Sequence, residues 1–411
     1  MRKDVRRKIA ITASGIERML LAWFIFFSYC EFFQITRYWQ LLHLLAVAII
    51  PFFAILHERT VRWNWAVFLW ICYAVVFSIQ ALTTNGMSQV AALALQQLAR
   101  IIVFIYCLRD TFAFRKIFKL LLFAGMIHAV ATVAEFIVPT VVHGIQDVLL
   151  DNNTEIVRRL YSYGYYCGIT DQAGFNAAYI SIAFIIIFPV LIIRTGKGTV
   201  LRIICAMLAL VALLLTGKRG FLLAAAVAAI FIYFMQLYRQ RGITIWQMLL
   251  LMVGSAAICY LLFYTDVAEN IIRRLQDEKN FLSGRDRIWK KAWNGIVVHP
   301  VLGNGTGSFS LVSGSSAHNS FLQIWYENGL VGLVMVSTAM LISLRAAFST
   351  FIKARDDENK IAVLTSIGYQ LYFIIVCMTD HLMQYHTLMV CYFIFAAIPY
   401  AVAMKEKQGK P

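Results

Sequence analysis

"LLLTGKRGFLLAAA", residues 213–226, sets Lys218 and Arg219 between two apolar runs with only a tight turn of polar chain around them. The runs extend to about 200–217 and 220–238, each close to the ~20 residues a helix needs to cross a hydrocarbon layer of ~30 Å. Two such runs joined so tightly read as a helical hairpin through a membrane. The whole chain has this texture. Of its 411 residues 61% are hydrophobic and only 14% charged, with a mean hydropathy of +0.72. That composition excludes a water-soluble domain of this size.

Twelve apolar stretches recur, near 17–33, 39–56, 63–82, 88–108, 117–138, 172–193, 200–217, 220–238, 244–264, 320–344, 361–379 and 386–404. The fourth is the least regular, because Arg100 lies inside it. The expected fold is therefore an all-α polytopic membrane protein of about twelve transmembrane helices, forming a single membrane-embedded domain over 1–411. The first apolar run has no small-residue cleavage site after it and a second span follows at once, so no cleavable signal peptide is expected.

Lys and Arg set the orientation. With the basic start "MRKDVRRK" on the cytoplasmic side, most of the 37 Lys and Arg fall in connections on that side, and both termini are expected in the cytoplasm. The formal charge of +16 then reflects topology and anionic inner-leaflet lipid. It gives no reason to expect a nucleic-acid partner.

On this topology Lys218 and Arg219 face away from the cytoplasm, against the usual bias. Snorkelling to headgroups would account for a lone cation there. Gly220 follows them at the start of the next span, however, so the unpaired N–H groups of a helix start lie beside the Arg, an arrangement suited to a phosphate. The only long connections, 139–171 and 265–319, fall on the same outer side. Chemistry is expected there.

The second long connection contains "SGRDRIWKKAWNGIVVHPVLGNGTGSFSLVSGSSAHNSFLQIWYENGLVG". Its first part has the spacing of an amphipathic helix from about Arg285 to Val297, with Trp289, Ala292, Trp293 and Ile296 on one stripe, suited to lying on the bilayer surface. His299-Pro300 ends it. "GNGTG" lacks a preceding strand, so it reads as turn geometry and not as a dinucleotide site. His318 stands just before the tenth span, with Asn319 and Ser320 available to start a helix. At a membrane boundary such a histidine is either a simple interfacial residue or, with Arg219 and Arg285 or Arg287, part of a site in which cations meet phosphate and an imidazole takes a proton.

The order "TGKRG", "SGRDRIWKKAW…HPVLGNGTGSF" and "HNSFLQIWYENGLVG" resembles the O-antigen ligase and polymerase superfamily, most specifically over roughly 210–335. The resemblance implies a membrane glycosyltransferase that moves a glycan from an undecaprenyl-diphosphate carrier to an acceptor at the outer face of the bacterial cytoplasmic membrane, with no cofactor and no metal. It implies that Arg219 and Arg285 lie near the lipid diphosphate and His318 near the acceptor. Lys218 stands where the family commonly has a small or polar residue. Lys218, Arg287, Asn319 and Asp171 are candidate substrate-binding residues.

The chemistry agrees with those roles. Cleaving an anomeric carbon–diphosphate bond leaves charge on the departing oxygen, which guanidinium groups stabilise through two parallel donors. A base beside the acceptor hydroxyl would favour attack from the opposite sugar face, hence inversion. No Asp-x-Asp pair for a metal and a nucleotide diphosphate occurs in the chain.

Other residues are more ambiguous. Arg100 could line a carrier groove or mark a boundary error. His128 and Glu135 suit structural hydrogen bonding. In "GYYCGITDQAGFNAAYIS" (164–181), Asp171 reads as a helix cap, with contact to sugar by Tyr165, Tyr166 and Asp171 as the alternative. Asp380, His381 and His386 share an outer turn, but their spacing is weak support for a metal. Of eight Cys only Cys167 lies outside the spans, so no disulfide framework is expected.

Three functions compete: polymerisation of lipid-linked repeats, which is favoured because that role needs no outer membrane; ligation of finished polymer to a lipid A core; and flipping of lipid-linked oligosaccharide. A flippase should carry ionisable residues near the midplane of related halves. Here they gather at the outer surface.

Overall fold

The computed structural model describes residues 63–108, 114–150, 153–240, 285–407 and 409. The spans expected at 17–33, 39–56 and 244–264, the basic start and residues 265–284 of the second long connection lie outside the described residues. All regular structure among the described residues is helical. In chain order the helices are α1 (Trp65–Ala81), α2 (Met87–Cys107), α3 (Phe114–Ile137), α4 (Pro139–Leu150), α5 (Thr154–Ser162), α6 (Ala173–Ile193), α7 (Thr199–Leu215), α8 (Arg219–Gln240), α9 (Arg285–Val298), α10 (Ser308–Ser313), α11 (Ser320–Lys353), α12 (Asp357–Cys377) and α13 (His386–Lys407). Seven are long and apolar enough to cross a bilayer, and α1 and α7 are shorter apolar helices. The chain is a polytopic α-helical membrane protein.

Helix α6 packs on α3, α7, α8 and α12; α13 packs on α2, α11 and α12; and α1 packs on α11. The three central helices α6, α12 and α13 are about four-fifths buried, whereas α3 and α11 are about one-third and two-fifths buried. Apolar side chains gain little by leaving lipid for protein, so close approach of small residues does the packing work. At Gly125 on α3 a Cβ would lie 2.6 Å from Tyr179 O and 2.7 Å from the Ala183 Cβ, which fixes the α3–α6 crossing.

The two ends of the bundle differ. One end is tied by ion pairs: Glu358 at the start of α12 meets both Arg115 of α3 and Arg194 after α6. The connections at the other end carry the sequence motifs, and there the structure departs from two expectations. The 139–171 connection folds into α4 and α5, anchored by the buried Glu135: its Oε2 accepts from Gly168 N at 2.7 Å, and its Oε1 from Gln146 Nε2 at 3.1 Å. The tenth span runs nine residues beyond its expected end and is interrupted at Gly329 (φ +67°). There the backbone of 300–305 pairs with it: Asn304 and Gly305 donate to Tyr326 O and Glu327 O, and Leu330 donates to Pro300 O. A Cβ on Gly329 would lie 2.0 Å from Val301 O.

Arg100 is within α2, so the boundary-error reading is overturned. Its side chain is buried and donates to Met383 O (3.5 Å), Gln384 O (3.2 Å) and His386 Nδ1 (3.4 Å). The charge is matched to the carbonyls of the turn between α12 and α13. His128 stacks on Tyr179 at 4.8 Å between ring centres. The six cysteines among the described residues form no disulfide.

Candidate active site

Four connections meet at the motif-bearing end: 164–172 before α6, 216–218 before α8, 314–319 before α11 and 378–385 before α13. Lys218 and Arg219 come from the second. Thr216 continues the last turn of α7, Gly217 takes φ +66° to reverse the chain, and α8 begins at Arg219. Both cations are half-buried. A Cβ on Gly220 would lie 2.8 Å from Thr379 Oγ1, so the start of α8 is packed against the residue preceding Asp380.

His318 is held from both sides. Ala317 donates its N–H to Gln323 Oε1 (3.1 Å) and accepts from Trp289 Nε1 (2.9 Å). Asn319 caps α11, its side chain accepting from Leu322 N at 3.0 Å. Between these clamps His318 has φ +48°, and among the described residues no other non-glycine residue has a positive φ. Such a backbone costs on the order of 1 kcal/mol and persists where surrounding contacts enforce it.

Opposite it stands the α12–α13 turn. Asp380 Oδ1 is 3.7 Å from His318 Nδ1 and 2.8 Å from His381 Nδ1, and it also accepts the His381 backbone N–H at 2.8 Å. The Asp380 carbonyl accepts from Ser320 N and Ser320 Oγ, both at 3.1 Å, locking the turn to the start of α11. Ser316 Oγ lies 3.0 Å from His381 Nδ1, and Tyr385 OH meets His381 Nε2. Burial pushes the Asp380 carboxyl up, but the nearby His318 imidazole, the hydrogen bonds from His381 and the His381 charge outweigh it and hold the group well below the usual carboxylate range. Burial, with the negative charges of Asp380 and Asp171, pushes the Tyr385 hydroxyl up, so it stays a donor. Asp380 and His381 keep 16% of their side-chain surface, while His318 keeps 36%. His318 is the most exposed member of the group, with Asp380 behind it: an imidazole next to a carboxylate.

His318, Asp380 and His381 also offer ligand atoms all within 4.8 Å of one another, a set that could hold a metal ion. Both His381 ring nitrogens already have partners, so binding there would require Ser316 or Tyr385 to give way.

Asp171 is one residue before the cap position of α6. Gln172 occupies the cap position, and the Asp171 charge acts instead on Tyr385 and Cys167. Arg285 opens α9 and is half-buried, one turn before Trp289, whose indole holds the residue preceding His318. On the expected stripe Ala292 and Ile296 are buried against Phe309 and Tyr326, but Trp293 is half-exposed and meets Trp325 edge-on at 5.6 Å. Arg287 points to the exposed face of α9, and among the described residues no hydrogen bond or ion pair ties it to the group.

Asp171, Lys218, Arg219, His318 and Asn319 thus lie on or next to the four connections at one end of the bundle, and Arg285 is one turn from Trp289, which bonds the residue preceding His318. The structure adds Asp380, His381, Ser316 and Tyr385, which sequence reasoning did not join to His318. The available signal was that Asp380 and His381 sit on a turn at the same end of the bundle as His318. No curated protein matches the chain. Residues 204–337 match the model of a family described as O-antigen ligase, a segment that runs from α7 through the cationic turn and His318 into α11, and this match supports the resemblance to the O-antigen ligase and polymerase superfamily.

Proposed function

We propose that the chain is an inverting glycosyltransferase that moves a glycan from an undecaprenyl-diphosphate carrier to an acceptor hydroxyl at the outer face of the bacterial cytoplasmic membrane, and that its role is to polymerise surface-polysaccharide repeats. Both termini lie in the cytoplasm and the site faces outward. The observation that carries this reading is the meeting of the Arg219 turn with the His318–Asp380 pair through Thr379 and Gly220. Arg219, Arg285 and Lys218 bind the diphosphate and stabilise the charge that develops on its departing oxygen. His318 takes the proton of the acceptor hydroxyl, and Asp380 holds the imidazole and balances the imidazolium. The base acts from its own ring nitrogen, with no metal in the step.

Ligation of finished polymer to a lipid A core uses the same reaction. The flippase reading gains nothing from Arg100, the charge nearest the middle of a span, because it is matched to turn carbonyls. The test is purified protein with one defined lipid-linked repeat. A ladder of products supports polymerisation, inertness until core lipid is added supports ligation, and movement of the lipid without a new bond would sink the transferase reading.

A further inference from the structure

The aromatic segment 161–166 beside the cationic turn has no role in the reaction just described, although the chain spends a buried carboxylate and a buried amide on holding it. Gln146 Nε2 donates to Gly168 O at 2.6 Å as well as to Glu135, and Arg158 Nη1 donates to Gln146 Oε1 at 2.7 Å. Arg158 Nη2 reaches His143 O (2.9 Å) and Asp147 Oδ1 (2.7 Å). The backbone then stitches the segment to both neighbours: Tyr165 N donates to Leu160 O at 3.1 Å, and Tyr166 N to Leu215 O at 3.2 Å. A connection that served only to return the chain would not need this scaffold.

The tyrosines on it divide into two kinds. Tyr166 is committed inward, edge-on to Phe136 at 5.6 Å and to Tyr161 at 5.5 Å. Tyr165 packs partly on the cluster of Leu150, Val157, Cys167 and Ala173 and also meets the cationic turn. Its ring lies so close over Gly217 that a Cβ there would be 2.5 Å from Cδ1, and the Lys218 ammonium stands 5.9 Å from the ring centroid. Both Tyr165 and Lys218 are half-buried, and Asp171 and Lys218 both act electrostatically on the neighbouring Cys167.

We infer that Tyr165 is the stacking platform for the first sugar of the carrier-linked glycan, with Lys218 resting on its face until the diphosphate arrives. This rests on the function proposed above. A half-exposed cation–π contact is weak, and a diphosphate carrying full negative charge attracts the ammonium more strongly than a ring quadrupole does. When Lys218 leaves for the diphosphate, the ring presents its electron-rich face next to the phosphate site. That is where the first sugar must sit, because the sugar is bonded to the diphosphate. The C–H face of a pyranose is the group that fits an electron-rich aromatic face. The same ring could instead anchor the loop at the headgroup layer, and the experiment distinguishes the two.

Binding of undecaprenyl diphosphate, bare or bearing glucose, galactose or N-acetylglucosamine, is measured on the full chain in lipid nanodiscs for wild type, Tyr165→Phe, Tyr165→Leu and Arg219→Lys. Tyr165→Leu should weaken binding of a sugar-bearing carrier about tenfold, near the upper end for an aromatic contact, and leave the bare carrier unchanged. Tyr165→Phe keeps the ring over Gly217 and should bind like wild type. Equal loss for bare and sugar-bearing carriers in Tyr165→Leu, or no loss for either, overturns the platform. So does wild-type protein that gains nothing from any of the three sugars. Arg219→Lys separates the two levels: it should weaken every carrier, and if neither it nor Tyr165→Leu changes any binding, the donor reading itself has failed.

Discussion

The Asp380 carboxylate stands 3.7 Å from His318 Nδ1, joining the turn before α13 to the residue before the α11 cap. The two residues are more than sixty positions apart in sequence, and the Asp380 backbone is bonded to Ser320, so the pair is set by the frame and not by side-chain reach alone.

Replacing His318 by Ala should abolish glycan transfer while binding of the undecaprenyl-diphosphate donor is largely kept. General-base assistance is worth about 10² to 10⁴ in rate, so the loss is visible in a crude assay. Arg285→Ala is the opposite case, losing donor binding first. If His318→Ala weakens donor binding as severely as Arg285→Ala, His318 is a diphosphate ligand. If it transfers at the normal rate, it is an ordinary interfacial histidine.

Arg219→Lys should lose most of the transfer activity while the protein still inserts and elutes as a folded species. Lys keeps the charge but lacks the planar pair of donors that fits a phosphate. Wild-type turnover in this variant would return Arg219 to a snorkelling role.

Asp380 predicts a pH signature. Its carboxyl is depressed in the folded protein, so the stability it contributes is fully present above the ordinary carboxylate pKa of about 4 and is lost as pH falls from there toward the lower folded value. Asp380→Asn should therefore melt below wild type by a margin that is constant between pH 7 and pH 5 and shrinks on acidification below about 4. A margin that grows in acid would contradict the assignment.

Two glycines should respond very differently to alanine. Gly314 has a positive φ of +73° but open space around it, so Gly314→Ala should cost about 1 kcal/mol. Gly329→Ala adds overlap with the Val301 backbone and should cost at least ~3 kcal/mol, seen as loss of the monodisperse peak after mild heating. Comparable melting of the two variants would mean that the 300–305 clamp on α11 is not rigid.

For orientation, a cysteine at Ser315 should react with a membrane-impermeant thiol reagent from outside intact cells, and one at Asp357 should not. The reverse pattern would move the whole site to the cytoplasmic face.

The seven long apolar helices among the described residues were legible because a bilayer demands long apolar runs, and α9 because Ala292 and Ile296 keep helical spacing against one partner. Helices α4 and α5 were not legible as elements. Helices this short are marginal alone, and they form here around Glu135, Gln146 and Arg158, whose meeting no local pattern announces. The interruption at Gly329 was hidden for a related reason: a glycine within a helical pattern is ordinarily tolerated, and only the approach of residues 300–305 forces it out of helical geometry. Lys218, Arg219, His318 and Asn319 stood out as polar groups at span ends. Their partner Asp380 was visible only as one of several residues on a turn, since a contact over that distance leaves no periodic trace.

Arg100 sets the manufacture of this protein against its assembly. An arginine in the middle of a span costs about 2.5 to 3.5 kcal/mol when the helix enters the bilayer. The penalty falls due before α13 is in place to offer its turn carbonyls, after which charge-assisted hydrogen bonds of roughly 1.5 to 3 kcal/mol each return it. A leucine at this position would enter the membrane more readily and then leave the Met383 and Gln384 carbonyls without the arginine's donors. Efficient insertion and a firmly seated Asp380–Tyr385 turn therefore pull residue 100 in opposite directions, and an arginine serves the second.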